Sequence, residues 1–453
     1  MARSLDPDDL MMRARRWLST EALSGTELGE RLRVSQPTVS RLIRQYREQI
    51  LTTGKARRTR HILRRPVADV ATPAPVHEID RAGNSRRIAW LHPVATTGFH
   101  VESCCDDVDA ATYDDWPWFL HQLRPSGFLG RRIAGLHPTL GLLEEPQLWS
   151  ADQLLRYLNC LGWNGSGALI VGEPAFGQWL AAADAPTPVD VPPELLYPRL
   201  VDDVMAGAPP GSSAAGEQPK FLVARTVTRP ERLVKFSPPT ADAVGRRVAD
   251  LLIAEHYALR TLSAEGFTAA SSSIVEADGR VFLETERFDR TPAGRVGLLS
   301  LEALDLEFVG DGGRNRWPQI VRRLVDHGRL PEAVLGTVQR MHAFGHLIGN
   351  DDMHTGNLSF VVRGQRVLDV APAYDMAPMR FSPVSGELPL RELTPAPRPE
   401  ATRSAWAWAV AAAATCWRAV AEDARVSASF QQLAADCAAR VESTRSLVRR
   451  LPE

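Results

Sequence analysis

"HLIGNDDMHTGN" occupies residues 346–357. It sets two histidines, two adjacent aspartates and two asparagines beside an apolar, helix-like run. A zincin-type metal site would use His342 and His346, which stand four residues apart and so share a helix face. That motif needs a Glu directly after its first histidine to act as base, and Ala343 is there instead. The histidines therefore read as packing behind the loop. A phosphoryl-transfer loop makes a different demand. It needs an Asp to orient the acceptor hydroxyl and take its proton, and an Asn five residues later to hold magnesium. Asp352 and Asn357 have that spacing, and Asp375 follows 18 residues after Asn357, beyond the strand-like "QRVLDV". Asp352 is read as the base, and Asn357 and Asp375 as metal ligands.

The segments upstream supply the remaining parts in order. "AGAPPGSSAAGEQPKFLVART" (residues 206–226) is a Gly/Ser/Ala/Pro loop feeding an extended run. Small residues let backbone N–H groups approach phosphates without a Cβ in the way. "ERLVKFSPP" (231–239) reads as a strand that carries Lys235, a fixed cation for phosphates. "ADLLIAEHYALRTL" (249–262) is an amphipathic helix whose Glu255 can hold that lysine in place. "RVFLETERFDR" (280–290) reads as a hinge strand. Each piece alone is a weak signal. The common order of loop, lysine, glutamate, hinge, Asp-x4-Asn and Asp points to ATP-dependent phosphoryl transfer with Mg²⁺.

The N-terminal part reads differently. Residues 1–70 hold 15 Lys/Arg against 8 Asp/Glu, although the whole chain has a net charge of −1. Such asymmetry suggests a polyanionic partner. In "LSGTELGERLRVSQPTVSRLIRQY" (23–46), Ser24 and Glu27 form a capping box, and Ser35 can cap a second helix with Pro37 in its first turn. Val39, Leu42, Ile43 and Tyr46 face inward at helical spacing, which turns Gln36, Thr38, Ser40, Arg41 and Arg44 outward. That is the pattern of a helix-turn-helix whose second helix reads duplex DNA. "LTTGKARRTRHILRR" (51–65) follows as a basic hairpin, a wing bearing Arg57 and Arg58. Residues 66–85, with three prolines and a Gly-Asn pair, read as a linker.

Composition excludes several classes. With 44% apolar and 24% charged residues, the chain reads as globular. "MARSLDPDDLMMRARR" has no signal-peptide apolar stretch, and the longest apolar run, 405–417, is too short to span a bilayer. Five cysteines without a CxxC spacing read as reduced thiols. A cytoplasmic protein with no membrane contact is expected.

As a set, these motifs resemble the HipA-type serine/threonine kinases, the toxins of bacterial toxin–antitoxin pairs. "SAAGEQPKF" (213–221) looks like that family's S-x-A-G-x-Q-x-K loop, and "LVKF", "AEHYALRTL", "ETERFDR", "IGNDDMHTGN" and "AYDM" come in its order. The fused helix-turn-helix is similar to the YjjJ-like branch. The resemblance implies an α+β, two-lobed, protein-kinase-like fold after a winged helix-turn-helix. The domains are expected at 1–65 (DNA binding), 66–85 (linker), 86–290 (N-terminal lobe with the ATP loop) and 291–453 (mostly helical C-terminal lobe with the catalytic loop). It further implies that Ser213, or Ser212 in its place, is autophosphorylated to switch the kinase off. Ser213, Gly216, Lys235 and Glu255 would line ATP, and backbone groups from Glu286 to Phe288 would hold adenine. Asp352 and His354, with Asn357 and Asp375, would complete the catalytic set. The protein substrate would be a translation component such as an aminoacyl-tRNA synthetase, and the chain could form a homodimer. Asp351 and Pro219 depart from the family pattern, but neither removes a catalytic group. Two other functions compete: a DNA-binding regulator whose kinase fold senses or is inactive, and a small-molecule kinase with a similar "DMHTGN" loop. Intact Lys235, Asp352, Asn357 and Asp375 argue against the first; "SAAGEQPK" and "ETERFDR" argue against the second.

Overall fold

The computed structural model describes residues 6–95, 97–206 and 218–451. The chain opens with helices α1 (Pro7–Leu18), α2 (Gly25–Leu32) and α3 (Gln36–Gln45), followed by strands β1 (Ile50–Thr53) and β2 (Arg60–Leu63). Ser24 and Glu27 form the reciprocal capping box that starts α2. Ser35 stands at the N-cap of α3 but makes no side-chain cap bond; its hydroxyl pairs with that of Thr38 at 3.0 Å. Leu10, Leu18, Leu28, Leu32, Val39, Leu42 and Ile50 close a small core. Gln36, Ser40, Arg41 and Arg44 are left exposed and Thr38 half-buried. The strands pair from Ile50↔Leu63 to Thr53↔Arg60. Gly54 enters the turn at φ +73, where an added Cβ would lie 2.4 Å from the Arg58 carbonyl oxygen. The tip holds Arg57 and Arg58 in solvent.

The segment expected to be a linker is instead a core strand. Ala74–Ile79 forms β3, and all six residues are buried. It pairs antiparallel with β4 (Ser85–Pro93) and later with β7 (Leu169–Val171). β5 (Phe99–Ser103) and β6 (Ala111–Tyr113) extend the sheet in the order β6-β5-β4-β3-β7. Its two polar residues make specific contacts. The His77 ring stacks on Phe176 at 4.0 Å, and Glu78 takes Arg86 and the Gly364 N–H. A partnered carboxylate such as Glu78 can be buried at little cost, and Ala74, Val76 and Ile79 supply the apolar side chains of a central strand. Helices α4 (Gly127–Leu136), α5 (Ala151–Leu161) and α6 (Glu173–Asp184) accompany this sheet. α5 begins at a Ser150/Gln153 capping box and sends Leu154, Leu155 and Leu158 into the core. The N-terminal hairpin docks here. Leu51, Ile62 and Val94 share a cluster, and Arg65 reaches Asp152 at 2.5 Å while lying over Phe99.

After α7 (Pro193–Ala206) comes a second antiparallel sheet, ordered β10-β11-β9-β8. It contains β8 (Lys220–Val223), β9 (Arg232–Phe236), β10 (Ser272–Ala277) and β11 (Arg280–Glu286). The expected lobe 86–290 therefore holds two sheets, each with its own core. On one face Val234, Phe236 and Phe282 pack against Tyr197 and Val201 of α7. The opposite face, with Lys235 beside Leu283, meets α8 (Ala243–Ala264).

The largest core follows. β12 (Gly297–Ser300), β13 (Ser359–Arg363) and β14 (Arg366–Val370) make a small sheet. Around it lie α9 (Leu301–Phe308), α10 (Trp317–Asp326), α11 (Ala333–Leu347), α12 (Arg403–Glu422) and α13 (Ala428–Ser443). Trp317, Trp406 and Trp417 are wholly buried. At 150–250 Å² each, their burial contributes roughly 4–6 kcal/mol apiece in transfer free energy. The alanines of α12 let it pack closely against α8, α11 and α13. No helix among the described residues is long and apolar enough to cross a membrane.

Candidate active site

Lys235 is the centre of the site. The alternation of β9 turns it away from Val234 and Phe236, toward α8. Its Nζ donates to both carboxylate oxygens of Glu255, at 2.7 and 2.8 Å, and to the Asp375 carboxylate. Burial works against the Lys235 ammonium, but Asp375 and Glu255 hold its pKa well above the ordinary value. Burial likewise works against ionised Asp375, but Lys235 and Lys220 hold it well below the usual carboxylate range. Burial pushes Glu255 up, against the pull of Lys235. The arrangement is a charged lysine fixed between a helix carboxylate and a loop carboxylate. Asp375 adopts φ +54, a left-handed conformation that a non-glycine residue rarely takes and that clusters at functional sites.

The loop that carries Asp352 and Asn357 leaves α11 through Gly349, at φ +75, which ends the helix as glycines commonly do. Asn350 then bridges two parts of the site. Its Oδ1 accepts from the Asp352 N–H at 3.0 Å, and its Nδ2 donates to the Asp375 carbonyl at 3.1 Å. The Asp352 carbonyl accepts from the His354 N–H at 2.8 Å and from Asn357 Nδ2 at 2.9 Å. With its amide nitrogen engaged, Asn357 keeps Oδ1 as an acceptor, the atom a hard cation would take. The Asp352 side chain is partly exposed.

His354, expected in the catalytic set, is held on the same loop as Asp352 and Asn357. Its Nδ1 accepts from the Gly356 N–H at 3.1 Å, and its carbonyl accepts from Trp317 Nε1 at 3.0 Å. It props the loop. His342 and His346 lie behind, with His342 Nε2 against the Asn315 carbonyl and the His346 ring against Trp406. Among the described residues, no group of three or more His, Cys, Asp or Glu side chains could hold a metal ion.

At the hinge, the Glu286 N–H donates to the Ser271 carbonyl and the Arg287 N–H to that of Glu231, both at 2.9 Å. These two donors are therefore engaged by the fold and are not directed at a base. Phe288 lies half-buried, its ring centroid 5.7 Å from that of Tyr374. Ser212, Ser213 and Gly216 fall outside the described residues.

Comparison with known proteins places this site in a family. The model of the YjjJ-like toxin middle domain matches residues 70–180, and that of the HipA-like C-terminal domain matches residues 212–445. The chain is 35% identical over 436 residues to Toxin YjjJ of Escherichia coli strain K12, covering 94% of this chain and 97% of that one. The chain belongs to the HipA-type kinase family, in its YjjJ-like branch. Its fold also resembles HipA in the Shewanella oneidensis MR-1 assembly of HipA, HipB and operator DNA. That match has a TM-score of 0.54 at 18% identity and covers 83% of this chain and all of the other.

Some residues of this HipA-like site are given no role by the sequence pattern alone. Asn350 is one, although it lies only two residues before Asp352. Tyr374 is another; its hydroxyl donates to the Gly356 carbonyl at 2.7 Å and meets Ser359 at the same distance. Arg314 is a third, reaching Asp352 from a distant loop.

Proposed function

We propose that this HipA-like kinase transfers the γ-phosphate of ATP to a serine or threonine of a protein and acts as a toxin. The observation that carries the reading is Lys235 held between Glu255 and Asp375, with Asp352 and Asn357 on the adjoining loop. Lys235 would bind ATP phosphates, with Glu255 keeping it in place. Asn357 Oδ1 and the Asp375 carboxylate suit Mg²⁺, which when bound supplies positive charge against the transferring phosphoryl. The Asp352 carboxylate orients the acceptor hydroxyl and takes its proton. His354, Asn350 and Tyr374 hold that loop in register. Phe288 offers an aromatic surface beside the hinge for adenine.

The serine-rich loop is the proposed switch: phosphate on Ser213, or on Ser212 in its place, would repel the ATP phosphates across the Gly216 region. Residues 1–65 are proposed to form a winged helix-turn-helix on duplex DNA. The exposure of Gln36, Ser40, Arg41 and Arg44 on α3, and of Arg57 and Arg58 on the hairpin, supports this. A cytoplasmic location and an aminoacyl-tRNA synthetase as acceptor follow from the family resemblance, as does homodimer formation. The test is transfer of label from γ-labelled ATP to the chain and to candidate proteins, with the labelled residue mapped by mass spectrometry. Label on serine or threonine supports the reading; wild-type protein that labels nothing overturns it.

A further inference from the structure

Between α5 and β7, residues 163–167 of the middle domain turn their backbone carbonyls toward the hinge. Arg287 Nη2 donates to the Gly165 carbonyl at 3.3 Å. Arg290 donates to the carbonyls of Gly165 at 2.7 Å, Gly167 at 3.2 Å and Asn164 at 3.4 Å, and Arg295 donates to that of Trp163. In the other direction the Gly167 N–H donates to Asp289 Oδ2 at 2.9 Å. Asp289 and Glu231 pair with Arg287 and Arg290, and these four side chains are largely withdrawn from solvent. Buried guanidinium groups need every donor met, and the carbonyls of this segment supply acceptors that the two carboxylates do not.

Asn164 adds its side chain to them. Its Oδ1 accepts from Arg287 Nη1 at 3.1 Å and from Arg290 Nη2 at 2.9 Å, and its Nδ2 donates to Glu231 Oε1 at 3.2 Å. The two arginines are the ends of one turn. The Arg290 N–H donates to the Arg287 carbonyl at 2.9 Å, which closes a four-residue turn with Phe288 and Asp289 at its centre. Asn164 thus holds both ends of the turn that carries the Phe288 ring, while Gly167 holds Asp289 within it. The Glu286 and Arg287 N–H groups are engaged by the Ser271 and Glu231 carbonyls, so the hinge meets a base with the Phe288 ring in place of those donors.

We infer that Asn164 is a positioning residue for nucleotide binding: by holding Arg287 and Arg290 it fixes the Phe288 surface on which the adenine stacks. The inference rests on the kinase reading above. Without the carboxamide, two buried guanidinium groups lose an acceptor that they share, and the turn between them is free to shift. Lys235, Glu255 and Asp375 lie on β9, α8 and the loop after β14, outside this turn. The loss therefore falls on the base half of the nucleotide and spares the phosphate half.

The test uses the full chain and measures binding of Mg-ADP and of Mg-pyrophosphate by titration calorimetry. Asn164→Ala should weaken Mg-ADP by about tenfold and leave Mg-pyrophosphate within about twofold of wild type. KM for ATP should rise by about the same factor with kcat little changed. Arg156→Ala, which loses contacts to Asp69 and to the Leu140 carbonyl but none to the hinge, should leave both affinities as they are. Where Asn164→Ala does not stay folded, Asn164→Ser replaces it, with a loss of about threefold or more expected on Mg-ADP alone. A folded Asn164 variant that binds Mg-ADP as wild type does, or that weakens both probes equally, overturns the inference and leaves the kinase reading standing. Wild type that binds Mg-ADP no more tightly than Mg-pyrophosphate overturns it as well, because the base then contributes nothing. If wild type binds neither probe, the kinase reading fails with it.

Discussion

Lys235→Met removes a cation that the buried Glu255 and the half-buried Asp375 share. Glu255 is nearly inaccessible to solvent, so without Lys235 its charge must be neutralised by protonation or left unpaired. Removing one partner of a buried ion pair costs about 3–5 kcal/mol. For a unit of 150–250 residues each kcal/mol moves the melting point by ~2–4 °C, so the loss expected is about 6–20 °C. The assay is scanning calorimetry with tryptophan fluorescence, since Trp317, Trp406 and Trp417 lie in the core that α8 joins. Pairing Lys235→Met with Glu255→Leu should recover most of the lost stability, because apolar groups of similar size replace a buried pair at little cost. Phosphate transfer should be absent from both variants. The reasoning is refuted if Lys235→Met melts within about 2 °C of wild type, or if the double variant is as unstable as the single one.

Asp352→Ala or Asp375→Ala should lower phosphate transfer by roughly two orders of magnitude or more with the fold retained, and unchanged labelling in both would falsify the assigned roles. Ser213→Asp should weaken ATP binding while Ser213→Ala keeps it; nucleotide titration before and after incubation with Mg-ATP checks this, and a phosphorylated loop with undiminished affinity rules the switch out. Neutralising Arg57 and Arg58 should reduce the salt dependence of duplex DNA binding by about one unit of slope per lost phosphate contact, measured by fluorescence anisotropy. Burial lowers His100, His256 and His342 each to about 4, below the unfolded value near 6.5. The unfolded chain therefore binds more protons across that window, and stability should fall as pH drops through it. Each histidine should account for roughly 1 kcal/mol between pH 7.5 and 5.5, and a flat melting temperature over that range would contradict it.

The chemical parts of the site were legible because phosphoryl transfer fixes residue types at short spacings. Asp352 and Asn357 are five apart on one loop, and Lys235 lies on a short β-prone run. Other parts depend on contacts that spacing does not encode. Asn350 reads as one more polar residue until its two hydrogen bonds are seen. Arg314 reaches Asp352 only because the Asn315 N–H fastens its turn to the Met353 carbonyl. β3 was misread because Pro73, Pro75 and Gly83 carry turn chemistry, whereas His77 meets Phe176 and Glu78 meets the Gly364 N–H, both far along the chain. The division of residues 86–290 into two sheets was hidden for a similar reason. β3 pairs with β7 across nearly a hundred residues, and no local pattern announces that pairing.

The seam at Arg65 has a consequence for supply. A regulator made as a separate chain can be synthesised, diluted or degraded on its own schedule, so its ratio to its partner varies. Here the N-terminal module is continuous with the middle sheet and is fastened to it by Arg65–Asp152 and by the Leu51, Ile62 and Val94 cluster. Each molecule carries one of each module, at a proportion that growth and proteolysis cannot alter without cutting the chain. Regulation that works by changing the relative abundance of these two modules is closed to such a molecule. What can still vary is occupancy: what each module binds, and how many copies of the whole chain are present.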